Sequence, residues 1–165
     1  MTKYNLFDII TIEKRKGEKT MTIYFDMDGT IANLYGVDKW LDKLINKDES
    51  PYRDAEPLLR LSTLARVLNR LQRNGHQIGI VSWLAKNSNH EYDMRVTEAK
   101  MEWLGTHLKS VQFDEIHIVE YGTPKQNIVK DKNGILFDDE ERNRKNWFGT
   151  AYDVDNIIGI LKEIA

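Results

Sequence analysis

The chain has 165 residues, with 24 lysines and arginines against 26 aspartates and glutamates, so its formal net charge is -2. This length suits one domain with its own core, and the charge balance gives no support to nucleic-acid or anionic-membrane binding by the whole chain. Cysteine is absent, which excludes disulfide scaffolds, cysteine nucleophiles and thiolate metal sites, and no apolar run reaches the roughly 20 residues of a membrane span.

Residues 1–20 differ in character from the rest of the chain. Residues 4–12 are moderately apolar and residues 13–19 form a charged run. This pattern predicts an N-terminal extension, an edge strand or arm followed by a solvated turn. The charges also interrupt any apolar segment of a secretory signal. We therefore expect a cytoplasmic protein without membrane association, whose main domain covers residues 21–165.

Five strands that alternate with helices are predicted from residue 21 onwards. The first covers Thr22–Phe25, because β-branched and aromatic residues end before Gly29, and others are expected at 77–81, 115–120, 135–137 and 150–152. This alternation predicts a doubly wound α/β fold, a mostly parallel sheet with helices on both faces in three layers. The apolar residues at helical spacing are Leu61, Leu64, Leu68 and Leu71, then Met94, Met101, Leu104 and Leu108, and finally Ile157, Ile160, Leu161 and Ile164.

One segment, at about residues 31–56, interrupts this alternation. Within it, Val37, Trp40, Leu41, Leu44 and Ile45 recur at helical spacing. The segment comes directly after the carboxyl end of the first strand, where open α/β sheets bind their ligands. It is therefore predicted to be a small helical cap insertion beside a ligand site.

Two acidic pairs directly follow predicted strands. Asp26 and Asp28 leave the first strand on alternate residues, and Asp138 and Asp139 follow the fourth strand. One such pair alone is typical of a solvated turn. Two unit charges about 4 Å apart repel by about 4 kcal/mol at an effective dielectric of about 20, a cost that a proton or a cation can offset. Carboxylates that converge from two strand ends suit Mg²⁺.

A hydroxyl group and a lysine extend this pattern. Ser82 follows the second predicted strand, and Lys125 follows the third within the sequence Gly-Thr-Pro-Lys. Each residue alone is typical of a turn or of the surface. With the acidic pairs, however, they place a hydrogen-bond donor and a cation beside the expected metal, which is what a phosphoryl group needs.

The run Asp26-Met27-Asp28-Gly29-Thr30 resembles the first motif of the haloacid dehalogenase (HAD) superfamily of phosphohydrolases. Ser82 matches the second motif, Lys125 the third and the pair Asp138-Asp139 the fourth, in the order of the family and over residues 21–155. The resemblance implies a HAD-like fold and a magnesium-dependent phosphomonoesterase that forms an aspartyl-phosphate.

The resemblance also implies a role for each motif residue. Asp26 would be the nucleophile, and Asp28 would protonate the leaving alcohol and then activate water. Mg²⁺ would be held by Asp26, by the backbone carbonyl of Asp28, by Asp139 directly and by Asp138 indirectly or through water. Ser82 and Lys125 would bind the phosphoryl oxygens.

Within the superfamily, the chain is most similar to the 5′(3′)-deoxyribonucleotidase group. That group has a short helical cap, matched here by residues 31–56, and a lysine in the loop of the second motif, matched by Lys86. Its helix lysine followed by an aromatic residue is matched by Lys100 and Trp103. The resemblance implies a nucleoside monophosphate as the small-molecule substrate, with Lys86 and Lys100 as further phosphate contacts.

Other functions are compatible with the same residues. A nucleic-acid 3′-end phosphatase would want a basic groove, whereas the basic residues here are dispersed; a small-metabolite phosphatase would use the same core. A catalytically silent interaction module would share only the fold. A response-regulator receiver domain also combines carboxylates, a hydroxyl residue, a lysine and Mg²⁺, but its phosphoacceptor lies on a middle strand, which does not fit the order found here.

Several remaining residues are assigned no catalytic role. The four histidines show no metal-ligand spacing, and residues 140–145 carry charges of both signs and are expected to form a solvated helix start. Tyr35, Trp40 and Trp83 are expected to flank the pocket, where they would either stack on a base or pack within the cap and core.

Overall fold

A computed structural model describes residues 19–165, so the predicted N-terminal extension lies outside the described residues up to residue 18. Strands in the described range are β1 (Thr22–Phe25), β2 (Ala32–Asn33), β3 (Glu56–Pro57), β4 (Gln77–Trp83), β5 (Glu115–Val119), β6 (Ile135–Phe137) and β7 (Ala151–Tyr152). Five of these form one parallel sheet in the order β5-β4-β1-β6-β7. The predicted sheet is confirmed, with each strand within two residues of its expected bounds.

Helices connect the strands. They are α1 (Trp40–Ile45), α2 (Ser50–Asp54), α3 (Leu61–Arg73), α4 (His90–His107), α5 (Lys125–Ile128), α6 (Glu141–Asn146) and α7 (Ile157–Ile164). The side chain of Asn89 accepts a hydrogen bond from the backbone N–H of Tyr92 and thereby caps the start of α4. Across residues 19–165, every helix is too short or too polar to cross a membrane. The cytoplasmic location stays a prediction.

The two faces of the sheet carry separate cores. Ile23 and Phe25 of β1 point into the larger core, where α3 and α7 pack, while Tyr24 between them points to the opposite face. There it contacts the Trp147 indole edge-on, with the ring centroids 5.6 Å apart. Because successive side chains of a strand face opposite sides, both faces of β1 are apolar and both are covered. This confirms the three-layer α/β architecture.

The predicted cap insertion is also present. β2 and β3 pair antiparallel at its base, and α1 and α2 lie between them. Tyr52 of α2 and Leu34 pack against α4 in a cluster that contains Tyr92 and Val96. The cap is thus anchored through α2, whereas α1 buries none of its residues. The division of the chain into an extension and a domain at residues 20 and 21 stays a prediction.

The apolar spacing that predicts α4 does not mark its buried face. Met94 and Met101, two of the residues at helical spacing, are both exposed. The helix instead buries Tyr92, Val96, Ala99, Lys100, Trp103 and Leu104. The apolar pattern is misleading here because Lys100 occupies the inner face, where it forms an ion pair with the Asp28 carboxylate.

Candidate active site

The order of the strands brings the two acidic pairs together. β1 and β6 are neighbours, with Phe25 opposite Phe137, and the backbone N–H of Asp26 donates to the Phe137 carbonyl at 2.9 Å. The residues that follow, Asp26 and Asp138, therefore leave the sheet side by side. The chain adds strands on one side of β1 as far as β5 and then on the other side. Ligands of open α/β sheets bind at such a reversal.

Carboxylates of Asp26, Asp138 and Asp139 converge at this point. Each offers one oxygen, and the three oxygens lie within 4.8 Å of one another. Thr30 positions the third of these residues, because its hydroxyl accepts from the Asp139 N–H at 3.2 Å and lies 3.4 Å from the carboxylate. The Asp28 carboxylate does not belong to this trio and points to Lys100.

Asp138 and Asp139 differ in how far the protein already satisfies them. Oδ2 of Asp138 accepts from Lys125 at 2.7 Å and from Asn143 at 3.1 Å, and its Oδ1 accepts from the backbone N–H of Glu140 at 2.9 Å. Within the described part of the chain, the Asp139 carboxylate has one long contact, to the Thr30 hydroxyl at 3.4 Å. Asp139 is therefore better placed than Asp138 to give an oxygen to a cation.

Lys125 lies between the two strand ends. Its ammonium is 2.9 Å from Asp26 Oδ1 and 2.7 Å from Asp138 Oδ2, and the residue is only 1% exposed. Burial acts to lower the pKa of this ammonium, but the charges of Asp26 and Asp138 outweigh burial and raise the pKa. Lys125 is therefore a permanent cation in the site.

A second buried lysine holds the other acidic residue of the first motif. Lys100 Nζ donates to Asp28 Oδ2 at 2.6 Å, to the Ser82 hydroxyl oxygen at 2.8 Å and to the Trp83 carbonyl at 2.6 Å. Burial raises the pKa of Asp28, Lys100 opposes this shift, and the Asp26 charge adds to it, so the net direction is upward.

The charges of the site fit a divalent cation. Burial, and next the charge of Asp26, raises the pKa of both Asp138 and Asp139, which measures the cost of gathering carboxylates here. Four carboxyl groups of this site, those of Asp26, Asp28, Asp138 and Asp139, face two buried lysine side chains, so the carboxyl groups outnumber the cations by two. The oxygen donors are of the hard type that Mg²⁺ prefers.

A cavity of about 470 Å³ opens above the carboxylates. Its walls include the aromatic residues Tyr35, Trp40, Trp83 and Tyr121 and the α1 residues Leu41, Leu44 and Ile45. Tyr35 and Trp40 pack edge-on at 5.0 Å, and the centroids of Trp83 and Tyr121 are also 5.0 Å apart. Lys86 also lines the cavity, with its ammonium 5.9 Å from the Tyr121 ring. The predicted aromatic residues thus flank the pocket.

Two residues that support the acidic pair were missed by the sequence analysis. Asn143 is buried against Asp138, and Arg144 donates to the backbone carbonyls of Asp138 and Asp139 at 2.9 and 2.8 Å. The expectation of a solvated helix start at 140–145 is wrong at these two positions. The spacing could have indicated them, because a helix that begins directly after an acidic pair brings its first turn back over it.

Comparisons with known proteins place the fold. No protein-family model matches the chain, and no curated protein matches it by sequence. Its structure is similar to that of the D,D-heptose 1,7-bisphosphate phosphatase from Burkholderia thailandensis, with a TM-score of 0.56 and 11% sequence identity, over 88% of this chain and 98% of that chain. This likeness concerns the fold alone. The chain therefore has an α/β fold that is also found in a solved phosphatase.

Proposed function

We propose that the chain is a magnesium-dependent phosphomonoesterase of the HAD type that works through an aspartyl-phosphate on Asp26. The observation that carries the proposal is the convergence of Asp26, Asp138 and Asp139 around Lys125, at the strand ends that open into the cavity. A cluster of carboxylates with a buried lysine beside a cavity has the charge to hold both a metal and a phosphoryl group.

The expected metal ligands are Asp26, Asp139 and the backbone carbonyl of Asp28, with Asp138 acting indirectly or through water. This division follows from the hydrogen bonds that already occupy both oxygens of Asp138. Mg²⁺, when bound, supplies positive charge to the phosphoryl oxygens and offsets the repulsion between the carboxylates.

Catalysis would proceed in two steps, the formation of an aspartyl-phosphate on Asp26 and its hydrolysis. A carboxylate oxygen of Asp26 attacks phosphorus as the ester P–O bond breaks, and Asp28 gives its proton to the departing alkoxide. Water then attacks the aspartyl-phosphate, Asp28 takes up the proton of that water, and inorganic phosphate and the Asp26 carboxylate are released. Each step leaves Asp28 in the protonation state that the next step requires.

Phosphate binding would use the residues at the same sheet edge. Lys125 donates to Asp138 and forms an ion pair with Asp26, and a further proton of its ammonium would bind a phosphoryl oxygen. Ser82 is fully buried and lies outside the cavity lining; its hydroxyl oxygen accepts from Lys100, so its own proton would be donated only to a phosphoryl oxygen that reaches beyond the lining. Lys86, which lines the same cavity, is the further proposed phosphate contact.

The proposed substrate is a nucleoside monophosphate. Support comes from the aromatic and leucine-rich upper wall of the cavity, because a base can stack on aromatic faces. Sugar phosphates are the second candidate, since the phosphatase with the similar fold is named for a heptose bisphosphate. A 3′-phosphorylated nucleic-acid end is the third, although the net charge of -2 does not favour it.

A phosphate-release screen tests the proposal. The full chain with Mg²⁺ is given deoxyribo- and ribonucleoside monophosphates, sugar phosphates and 3′-phosphorylated oligonucleotides. We expect the nucleoside monophosphates to give the highest kcat/KM. A higher kcat/KM for sugar phosphates or oligonucleotides would overturn the proposed substrate class but would support the proposed phosphomonoesterase reaction. Absence of phosphate release from every compound would overturn the proposed reaction and favour the silent interaction module.

A further inference from the structure

Lys100 occupies an unusual place for a lysine. It lies in the second half of α4, on the face that packs against the rest of the molecule, and is fully buried. A buried ammonium is costly unless it is paired and fully hydrogen-bonded. This lysine meets both conditions at the edge of the proposed active site.

The hydrogen bonds of Lys100 account for all of its donors. An ammonium has three protons, and Nζ has three acceptors within 2.8 Å: Asp28 Oδ2, the Ser82 hydroxyl oxygen and the Trp83 carbonyl. From the cap, the ring of Tyr52 covers the ammonium at 4.9 Å. Lys100 is thus enclosed by protein, without a proton to give to a substrate.

Lys125 provides the internal contrast. It is equally buried and also faces an aromatic ring, that of Trp83 at 5.1 Å, but among residues 19–165 only two carboxylates contact its ammonium, so one of its three protons has no acceptor there. Both lysines bring positive charge to the same site, but they differ in how many of their ammonium protons already have an acceptor. A direct phosphate contact fits Lys125 and does not fit Lys100.

We infer that Lys100 is a positioning residue, which acts through Asp28 and does not bind the phosphoryl group itself. By holding Oδ2 of Asp28, it assigns proton exchange with the leaving group to Oδ1. This inference rests on the proposed phosphatase function and would replace only the phosphate-binding role predicted for Lys100.

If Lys100 positions Asp28 as the general acid, the loss of rate in a Lys100 variant should depend on the leaving group of the substrate. An alkoxide must be protonated as it departs, whereas p-nitrophenolate leaves readily without a proton. Loss of Lys100 should therefore impair ester cleavage for alkyl phosphates far more than for p-nitrophenyl phosphate. A phosphate contact would impair both alike, because both substrates carry the same phosphoryl group.

The experiment compares the full chain with Lys100→Met, using a nucleoside monophosphate and p-nitrophenyl phosphate with Mg²⁺. We measure kcat/KM, which reports the step up to formation of the aspartyl-phosphate, and inhibition by inorganic phosphate. We expect kcat/KM to fall about 10²-fold for the nucleotide and less than about tenfold for the aryl phosphate. The inhibition constant of phosphate should stay unchanged. Lys145→Met, which removes an exposed lysine of α6, is the matched control.

A double variant tests whether Lys100 acts through Asp28. In the Asp28→Asn background, Lys100→Met should cause no further loss of kcat/KM for the nucleotide, because the acid is already absent. If the fold-losses of kcat/KM from the two single substitutions multiply in the double variant, the inference is overturned. If Lys100→Met does not fold, Lys100→Arg retains the charge but displaces Asp28, and the ratio of the two kcat/KM values should shift in the same direction.

The outcomes separate this inference from the function on which it rests. One set of results has the wild type turning over both substrates while the Lys100 variants lose kcat/KM equally for the two, or are inhibited less by phosphate. Either result would overturn the positioning role and leave the proposed phosphatase function intact. A wild-type chain that cleaves neither substrate would overturn the proposed function, and the inference with it.

Discussion

At the scale of single residues, Gly29 controls how closely the two acidic pairs can approach. Its φ of 77° lies in the left-handed region, and a Cβ added there would overlap the Asp139 carboxylate and the Tyr35 ring. We expect Gly29→Ala to lower the free energy of unfolding by about 1–2 kcal/mol from backbone strain alone. It should also weaken Mg²⁺ binding. Urea unfolding and calorimetric Mg²⁺ titration measure the two effects.

Gly105 is the matched control for this substitution. It lies in α4, and a Cβ added there meets nothing within 4 Å. Gly105→Ala should therefore raise the free energy of unfolding by about 0.5–1 kcal/mol, because alanine is the better helix former. A Gly29→Ala variant that is as stable as Gly105→Ala and binds Mg²⁺ normally would contradict the tight approach described here.

Sequence alone could predict the residues that sit at strand ends, but not those that reach the site from helices. The proximity of Asp26 and Asp138 could be predicted from the sequence, because parallel strands present their carboxyl ends at one edge of the sheet. Asn143 and Tyr52 depend on how α6 and α2 dock, which a pattern of charges does not fix. Thr30 contacts Asp139 for the same reason, because the approach of two loops decides its partner.

At the scale of elements, α1 of the cap packs Trp40 and Leu44 against the cap cluster and leaves Leu41 and Ile45 exposed along the cavity. Leu41 is 52% exposed and lines the cavity. If this wall receives the base, Leu41→Ser should lower kcat/KM for a nucleoside monophosphate by up to roughly tenfold, through lost apolar contact. The kcat/KM for a small sugar phosphate should stay the same, and steady-state kinetics on both substrates provides the measurement.

Leu58→Ser serves as the control for the cap variant. Leu58 is 44% exposed, close to Leu41 in exposure, and lies outside the lining of the active-site cavity. It should leave both substrates unaffected. Equal losses for nucleotide and sugar phosphate in Leu41→Ser would indicate that α1 supports the site generally and does not contact the base.

The elements also show where apolar periodicity succeeds and where it fails. The strands were predictable because both faces of a covered parallel sheet are apolar, which leaves short runs such as Ile135–Phe137. The existence of α4 was predictable too, but its orientation was not. Met94 and Met101 satisfy the spacing on the exposed side, while Lys100 breaks it on the buried side.

At the scale of the whole molecule, Glu115 joins β5 to β1 and to the loop before β6. It accepts from the Tyr24 hydroxyl at 2.5 Å and from the Lys130 N–H at 3.2 Å, and His117 lies 2.7 Å from it. Burial raises the pKa of Glu115, but these hydrogen bonds outweigh burial and lower the pKa below its usual value.

This network predicts a stability difference that depends on pH. A carboxylate whose pKa is lowered by folding stabilises the protein above its unfolded-state pKa and loses that contribution as the pH falls through its folded-state pKa. Glu115→Gln should therefore be less stable than the wild type near pH 7, and the gap should narrow in acid below about pH 4.3. Urea unfolding of both proteins across this range checks the expectation, and a gap independent of pH would contradict it.

The most direct test of the proposed catalysis is phosphate release by the full chain from a nucleoside monophosphate, measured beside Asp26→Asn. Wild-type activity should require Mg²⁺, stop in EDTA and return when Mg²⁺ is restored. Asp26→Asn should release no phosphate, because an amide is a poor nucleophile. Phosphate release that persists in EDTA, or turnover by Asp26→Asn at the wild-type rate, would contradict a metal-assisted attack by Asp26.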